Sequence, residues 1–183
     1  MHVGEPGFGV AVANDATYGH DVTRIPRPDG GSATLVRQSL LRAPVFPDPH
    51  ADQGRHVLSS AVRVAPDVLD AADAGYRLNL PVREVAGDHG VAPLVTSSSA
   101  AVVIEAVKLA EDRSGDLVVR IYEARGGRER AVVRVDPAAG LGAAIRTDLL
   151  ERPLEAADAD ASDDGIALTL RPFEIATLRF ARR

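Results

Sequence analysis

Residues 100–180 are written as short alternating runs, cut at near-regular intervals by turn residues, and that pattern leaves few folds open. Ala101-Val102-Val103-Ile104-Glu105-Ala106-Val107-Lys108-Leu109 also fits an amphipathic helix by period, but its β-branched content favours a strand. Arg113-Ser114-Gly115-Asp116 is a turn and Leu117 to Tyr122 a strand. Arg125-Gly126-Gly127-Arg128 reads as a hairpin tip, after which Glu129 to Val135 pairs back. Ala144 to Leu150, Gly165 to Leu170 and Phe173 to Phe180 continue the series. Short strands with turns at this spacing predict an all-β sandwich.

The first half is less regular. Gly7 to Ala13 alternates and stops at Asn14-Asp15, side chains that bond their own backbone and turn it. Ser32 to Arg42 and His56 to Val64 are further strand candidates. Between them, Pro44, Pro47 and Pro49 forbid both a helix and a central strand, so this stretch is a stiff loop. Pro66 to Leu80 predicts a short helix: Pro66 suits a first turn, Asp67 adds negative charge there, and Pro81 closes it. Val68, Leu69, Ala72, Tyr76 and Asn79 recur on it at helical spacing. Residues 82–99 read as an irregular connection between two structural units.

Composition narrows the function classes. With 183 residues, 45% of them hydrophobic, the chain can bury a real core. A net charge of −5 argues against a nucleic-acid partner, which needs a basic face to displace counterions. No apolar run reaches membrane-span length, and Met1 to Pro6 lacks the pattern of a signal peptide. The lack of cysteine excludes a disulfide scaffold and thiolate metal sites, and fits a cytoplasmic location.

Local motifs for chemistry fall short. Asp158 to Gly165 resembles a calcium loop, but counting from Asp158 puts Asp163 at the glycine position and Thr169 at the glutamate position. A solvated acidic turn is the expectation. Asp48, His50, Asp52 and His56 form a His/carboxylate cluster without defined ligand spacing, and polar ordering of a surface loop is the better reading. Gly-x-Ser-x-Gly is missing, and Gly4 to Gly9 lacks the Lys-Ser/Thr ending of a phosphate loop and precedes a strand. Glycoside hydrolysis needs two carboxyl groups roughly 5–9.5 Å apart, and spacing along the chain nominates no pair. Aromatics are only 4% of the chain, with no Trp, which leaves little for a sugar-stacking platform. Phe8, Tyr18, Tyr76 and Tyr122 are expected in core or strand-edge packing.

Glu5 to Asp15 with Tyr18-Gly19-His20-Asp21, Ser39 to Pro44 running into Pro47 to His56, and Leu78 to Pro81 stand in order along the chain. Glu105 to Asp112, Leu117 to Glu123 and Pro172 to Leu178 follow. Together these segments resemble glycoside hydrolase family 38, the class II α-mannosidases. The resemblance covers nearly the whole chain and implies the C-terminal end of such an enzyme. Residues 1–90 would then be the end of a large β-sandwich and 91–183 a smaller terminal one, both without the catalytic barrel.

The resemblance further implies retaining cleavage of α-mannosides through a covalent glycosyl-enzyme, with zinc held by the missing catalytic domain. No cofactor is expected in this chain. Its expected partners are that N-terminal domain and the oligosaccharide substrate, with self-association through the bared docking surface. No residue here matches the family's catalytic motifs. The loop from Arg42 to Gly54 resembles one that faces the pocket, which makes Arg42, Asp48 and Asp52 the substrate-proximal candidates. Arg42 could fork to sugar hydroxyls or pair with Asp48 or Asp52. The alternative function is a free-standing carbohydrate-binding or adaptor sandwich.

Overall fold

The computed structural model describes residues 1–88, 90–154, 159–162 (backbone only) and 165–183. The chain forms two compact units, Met1–Val85 and Ala86–Arg183.

In the first unit, β1 (His2–Glu5), β2 (Phe8–Asn14) and β5 (Ser60–Val64) form an antiparallel sheet in the order β1-β2-β5. Pro6-Gly7 turns β1 into β2, with Gly7 at φ +81°, a conformation that a side chain would strain. β1 was not read from the sequence; its four residues are too few to show a period. β3 (His20–Pro26) and β4 (Ser32–Gln38) form a separate hairpin in register from His20↔Gln38 to Pro26↔Ser32. β4 and β5 are shorter than the predicted runs, each losing four residues on the side of the proline loop.

The predicted helix is present as α1 (Val68–Asn79). Its N-cap Asp67 accepts from the Leu69 amide at 2.5 Å, and the Leu80 amide closes the other end on the Tyr76 carbonyl. The face it buries differs from the expected one. Ala71 and Ala74 pack on Ala11, Ala13 and Ala65, with Leu78 alongside, while Val68 and Tyr76 stay exposed. The contact is made mainly by methyl side chains. Arg63 of β5 bonds Asp73 of α1 at 2.6 Å on that same covered side.

The second unit is a β-sandwich, as the strand spacing predicts. One sheet runs β10-β13-β8-β7, built from β10 (Leu141–Thr147), β13 (Ile175–Arg182), β8 (Leu117–Glu123) and β7 (Val102–Leu109). The other runs β11-β12-β9-β6, from β11 (Ala159–Ser162), β12 (Gly165–Leu170), β9 (Glu129–Val135) and β6 (Val95–Ser97). Every pairing is antiparallel. Val119, Ile121, Leu178 and Phe180 of the first sheet meet Val133, Leu168 and Leu170 of the second in one buried cluster. Ala101 to Leu109 is resolved as strand β7, with a bulge between Ile104 and Ala106.

Two sequence expectations need correction here. The connection 82–99 contains β6, whose Val95 is buried against β9; three residues cannot display alternation. Ala159–Ser162, expected as acidic turn, pairs with β12 as strand β11, because the open backbone edge of β12 can be satisfied by any sequence. The remainder of that acidic stretch, Asp158, Asp163 and Asp164, lies outside the described residues.

Candidate functional site

A cleft of about 820 Å³ in the first unit gathers a group of polar side chains, and its walls are two loops. The first leaves β2 at Asn14 and enters β3 at His20. Asn14 Nδ2 donates to the Thr17 carbonyl and, at 2.9 Å, to its hydroxyl, which also receives Gln38 Nε2 at 2.7 Å. Asp15 and Ser59 exchange amide bonds, Asp15 N to the Ser59 carbonyl and Ser59 N to the Asp15 carboxylate. Those donations from Ser59 hold the Asp15 carboxyl below its ordinary value. Gly19 sits so close to β4's end that a Cβ there would lie 2.9 Å from the Ser39 side chain. The loop is therefore fixed, and it presents Tyr18, 98% exposed, at the cleft.

The second wall is the proline loop. Just after β4, Ala43 turns left-handed at φ 46°, and its amide donates to Asp52 Oδ2 at 2.9 Å. Asp52 is itself left-handed at φ 59°, and its carbonyl accepts from His56 Nε2 at 2.8 Å. A carbonyl can only accept, so this bond places a proton on Nε2 and leaves Nδ1 open. Arg42, exposed and bracketed by these constraints, makes no hydrogen bond or ion pair with any described residue. Of the three substrate-proximal candidates, Arg42 and Asp52 line the cleft, together with Tyr18 and His56. Asp48 does not; its carboxylate is turned back onto the His50 amide at 2.8 Å.

The set carries groups of the kinds that hydrogen-bond hydroxyls. It offers a guanidinium fork, a carboxylate, an imidazole nitrogen and an apolar ring with a polar edge. Among the described residues its lining brings in one carboxylate, Asp52, whereas the two-carboxyl route of glycoside hydrolysis uses a pair. Among the described residues, no three His, Asp or Glu side chains converge as metal ligands, so the Asp48, His50, Asp52 and His56 cluster is not gathered into a site. Sequence reasoning missed Tyr18 and His56 as members of this group. Tyr18 was expected in packing, yet it stands four residues past the end of an alternating run, between Thr17 and a glycine, where no sheet face exists to bury it.

The second unit's ionised carboxylates serve architecture. Burial pushes the Glu123 carboxyl up, but amides of Phe173, Arg125, Gly126 and Gly127 more than offset this and hold it below its usual range. Burial opposes ionisation of Glu174 too; Arg171 and Arg146 overcome it and bring the carboxyl down to about 2. These groups tie loops to strands.

Comparison with known proteins fits this geometry. Residues 101–178, from the start of β7 into β13, match the family described as glycosyl hydrolases family 38 C-terminal beta sandwich domain. Human alpha-mannosidase 2C1 is 35% identical over 189 residues, which covers 97% of this chain and 17% of the human protein. Alpha-mannosidase G of Dictyostelium discoideum is 31% identical over 67% of the chain, and a Saccharomyces cerevisiae alpha-mannosidase 27% identical over 93%. The chain thus spans less than a fifth of the length of these relatives. It belongs to glycosyl hydrolase family 38, of which it carries the C-terminal β-sandwich domain.

Proposed function

We propose that this chain is the non-catalytic C-terminal region of a retaining α-mannosidase, supporting the catalytic domain and furnishing one wall of its substrate pocket. The observation that carries this is the coverage: nearly all of the chain aligns with a sixth or so of proteins named alpha-mannosidase. The single carboxylate of the cleft supports it, since the two carboxyl groups of the reaction then belong to the rest of the polypeptide. The zinc implied by the family resemblance belongs there too, as does the covalent intermediate. Arg42 and Asp52 are the substrate-facing residues in this reading, with Asp48 ordering the loop behind them, and the site of action is the cytoplasm.

Hydrolysis of an aryl α-mannoside tests the proposal. The 183-residue chain alone should give no turnover, whereas the longer polypeptide that contains it should release product whose first-formed anomer is α by NMR. Turnover by the chain alone that scales with its concentration through successive purification steps overturns the reading. In the longer enzyme, Arg42→Ala should lower kcat/KM roughly ten- to a hundredfold, the loss of one or two charged hydrogen bonds of about 1.5–3 kcal/mol. Its melting temperature should hold, because Arg42 anchors nothing in the fold. A destabilised enzyme with normal kinetics removes Arg42 from the pocket.

The exposed Tyr18 ring beside Arg42 favours a second reading, a free-standing carbohydrate-binding module. Isothermal titration of the chain with mannobiose separates the two. Micromolar affinity that Tyr18→Ala abolishes supports the module; no heat at millimolar sugar supports the accessory region.

A further inference from the structure

The three-stranded sheet of the first unit has one covered face and one bare face. Gly9, Ala11 and Ala13 of β2 turn toward α1, as does Arg63 of β5. Alternation then sends Val10 and Val12, with Val62 and Val64, to the other side. The register aligns them: Val3↔Val10, Val10↔Val64 and Val12↔Val62 are direct cross-strand partners, so five valines form one contiguous patch. Phe8 stands at its end, opposite Glu5. Phe8, Val62 and Val64 are 57%, 75% and 67% exposed, although Val is a strand residue chosen for buried surfaces. A polar face would satisfy the backbone equally well, and this one carries no polar side chain at those five positions.

We infer that the valine face is a packing surface for the remainder of the family 38 polypeptide, the part of the longer chain outside these 183 residues. The inference rests on the proposed reading of the chain as a region of a larger mannosidase. Two observations select this occupant. More than four-fifths of each relative's length lies outside the aligned region, so a covalently attached partner of sufficient size exists in the family. The patch is also too small for a second copy: three strands at about 4.8 Å spacing and about 23 Å length give roughly 300 Å². A stable dimer needs about 800 Å² from each partner. A tethered segment needs far less, because its effective concentration is already high. An apolar sheet or helix face of that polypeptide is the fitting complement.

The test substitutes Val62→Lys and Val64→Lys together, in the longer polypeptide and in the 183-residue chain. In the chain alone both side chains are in water, so its melting temperature should move by no more than about 2 °C. In the longer polypeptide the same pair should lower it by about 5 °C or more, or prevent soluble accumulation. For the latter case the pair Val62→Thr and Val64→Thr keeps shape and strand preference, and should still lower the melting temperature of the longer protein alone. Equal, small shifts in both proteins overturn the inference. So does concentration-dependent dimerisation of the chain in sedimentation velocity that the lysines dissolve, which would assign the face to a second copy. Aryl α-mannoside turnover by the unsubstituted longer polypeptide reports separately on the underlying reading, since that activity stands or falls without reference to the valines.

Discussion

The two units solve the problem of burial in opposite ways. In the second, two four-stranded sheets face each other and enclose Ile121, Leu168, Leu170, Leu178 and Phe180. In the first, the buried cluster consists of five alanines, while its valines lie on the open side of the sheet. Burying a large aliphatic side chain contributes about 1.5–3 kcal/mol, and an alanine methyl much less. The second unit therefore has the means of its own stability, and the first has spent its larger apolar side chains on a surface. The lesson is that a unit's core must be judged by what it encloses, since the first unit's strands carry valines that they do not enclose.

Cavity-forming substitutions should break this comparison most visibly. Leu178→Ala, at a side chain with no exposure, should cost about 3 kcal/mol or more in chemical denaturation of the isolated chain. Val62→Ala on the first unit's open face should stay within about 0.5 kcal/mol. Comparable losses at both positions would mean that the valine face is buried in solution.

Acid should separate the units next. Asp112, Asp116, Glu123, Asp148, Glu151 and Glu174 of the second unit all have carboxyls held below their ordinary values, Asp112 and Glu174 down to about 2. Amides and the hydroxyl of Ser114, with Arg179, do this at Asp112; the Arg179 fork also bonds Asp116. In the first unit Asp15 and Asp73 are so held. A depressed folded pKa contributes stability that is present above the unfolded value and lost as pH falls through the folded one. Amide exchange followed by NMR should therefore show the second unit losing protection steeply between about pH 4.5 and pH 2. The first unit, with fewer such groups, should change less over that range, and a parallel loss in both would contradict the assignment.

The smallest expected effect is a gain. Thr147, at the end of β10, is buried, and its hydroxyl finds no protein partner. Thr147→Val keeps the shape and removes the desolvated hydroxyl, which should stabilise the chain by about 1 kcal/mol, a rise of about 2–4 °C in melting temperature. An unchanged or lowered melting temperature would show that the hydroxyl is satisfied in solution.

Much of the second unit was legible because a sandwich buries one side of each strand and so writes a two-residue period. Glu129 to Val135 coincides with β9 for that reason, while Gly165 to Leu170 coincides with β12 although Ile166, Ala167 and Leu168 are all buried. Legibility failed where an element was too short, as at β1 and β6, or where backbone pairing alone made the strand, as at Ala159–Ser162. α1 was found through Asp67 and Pro81, yet its buried face was misjudged, because Ala71 and Ala74 are too small to mark a period. The candidate site was half legible. Arg42 and Asp52 came from the family resemblance, whereas Tyr18 reaches the same cleft across more than twenty residues of intervening chain, and His56, four residues past Asp52, was read only as ordering the loop.

Local sequence by itself determined the all-β class, the helix, the stiff proline loop and the lack of any thiol chemistry. Each follows from interactions between near neighbours: alternation, capping, ring-fixed φ and residue chemistry. Only the tertiary structure decided that Arg42 faces a cleft without an acidic partner, that Asp48 turns away, and that the first unit's valines share one uncovered face. Those outcomes depend on strand register and on the left-handed turns at Ala43 and Asp52. A shift of one residue in register would have reversed every side chain on the sheet. Nothing in the local sequence carries that information.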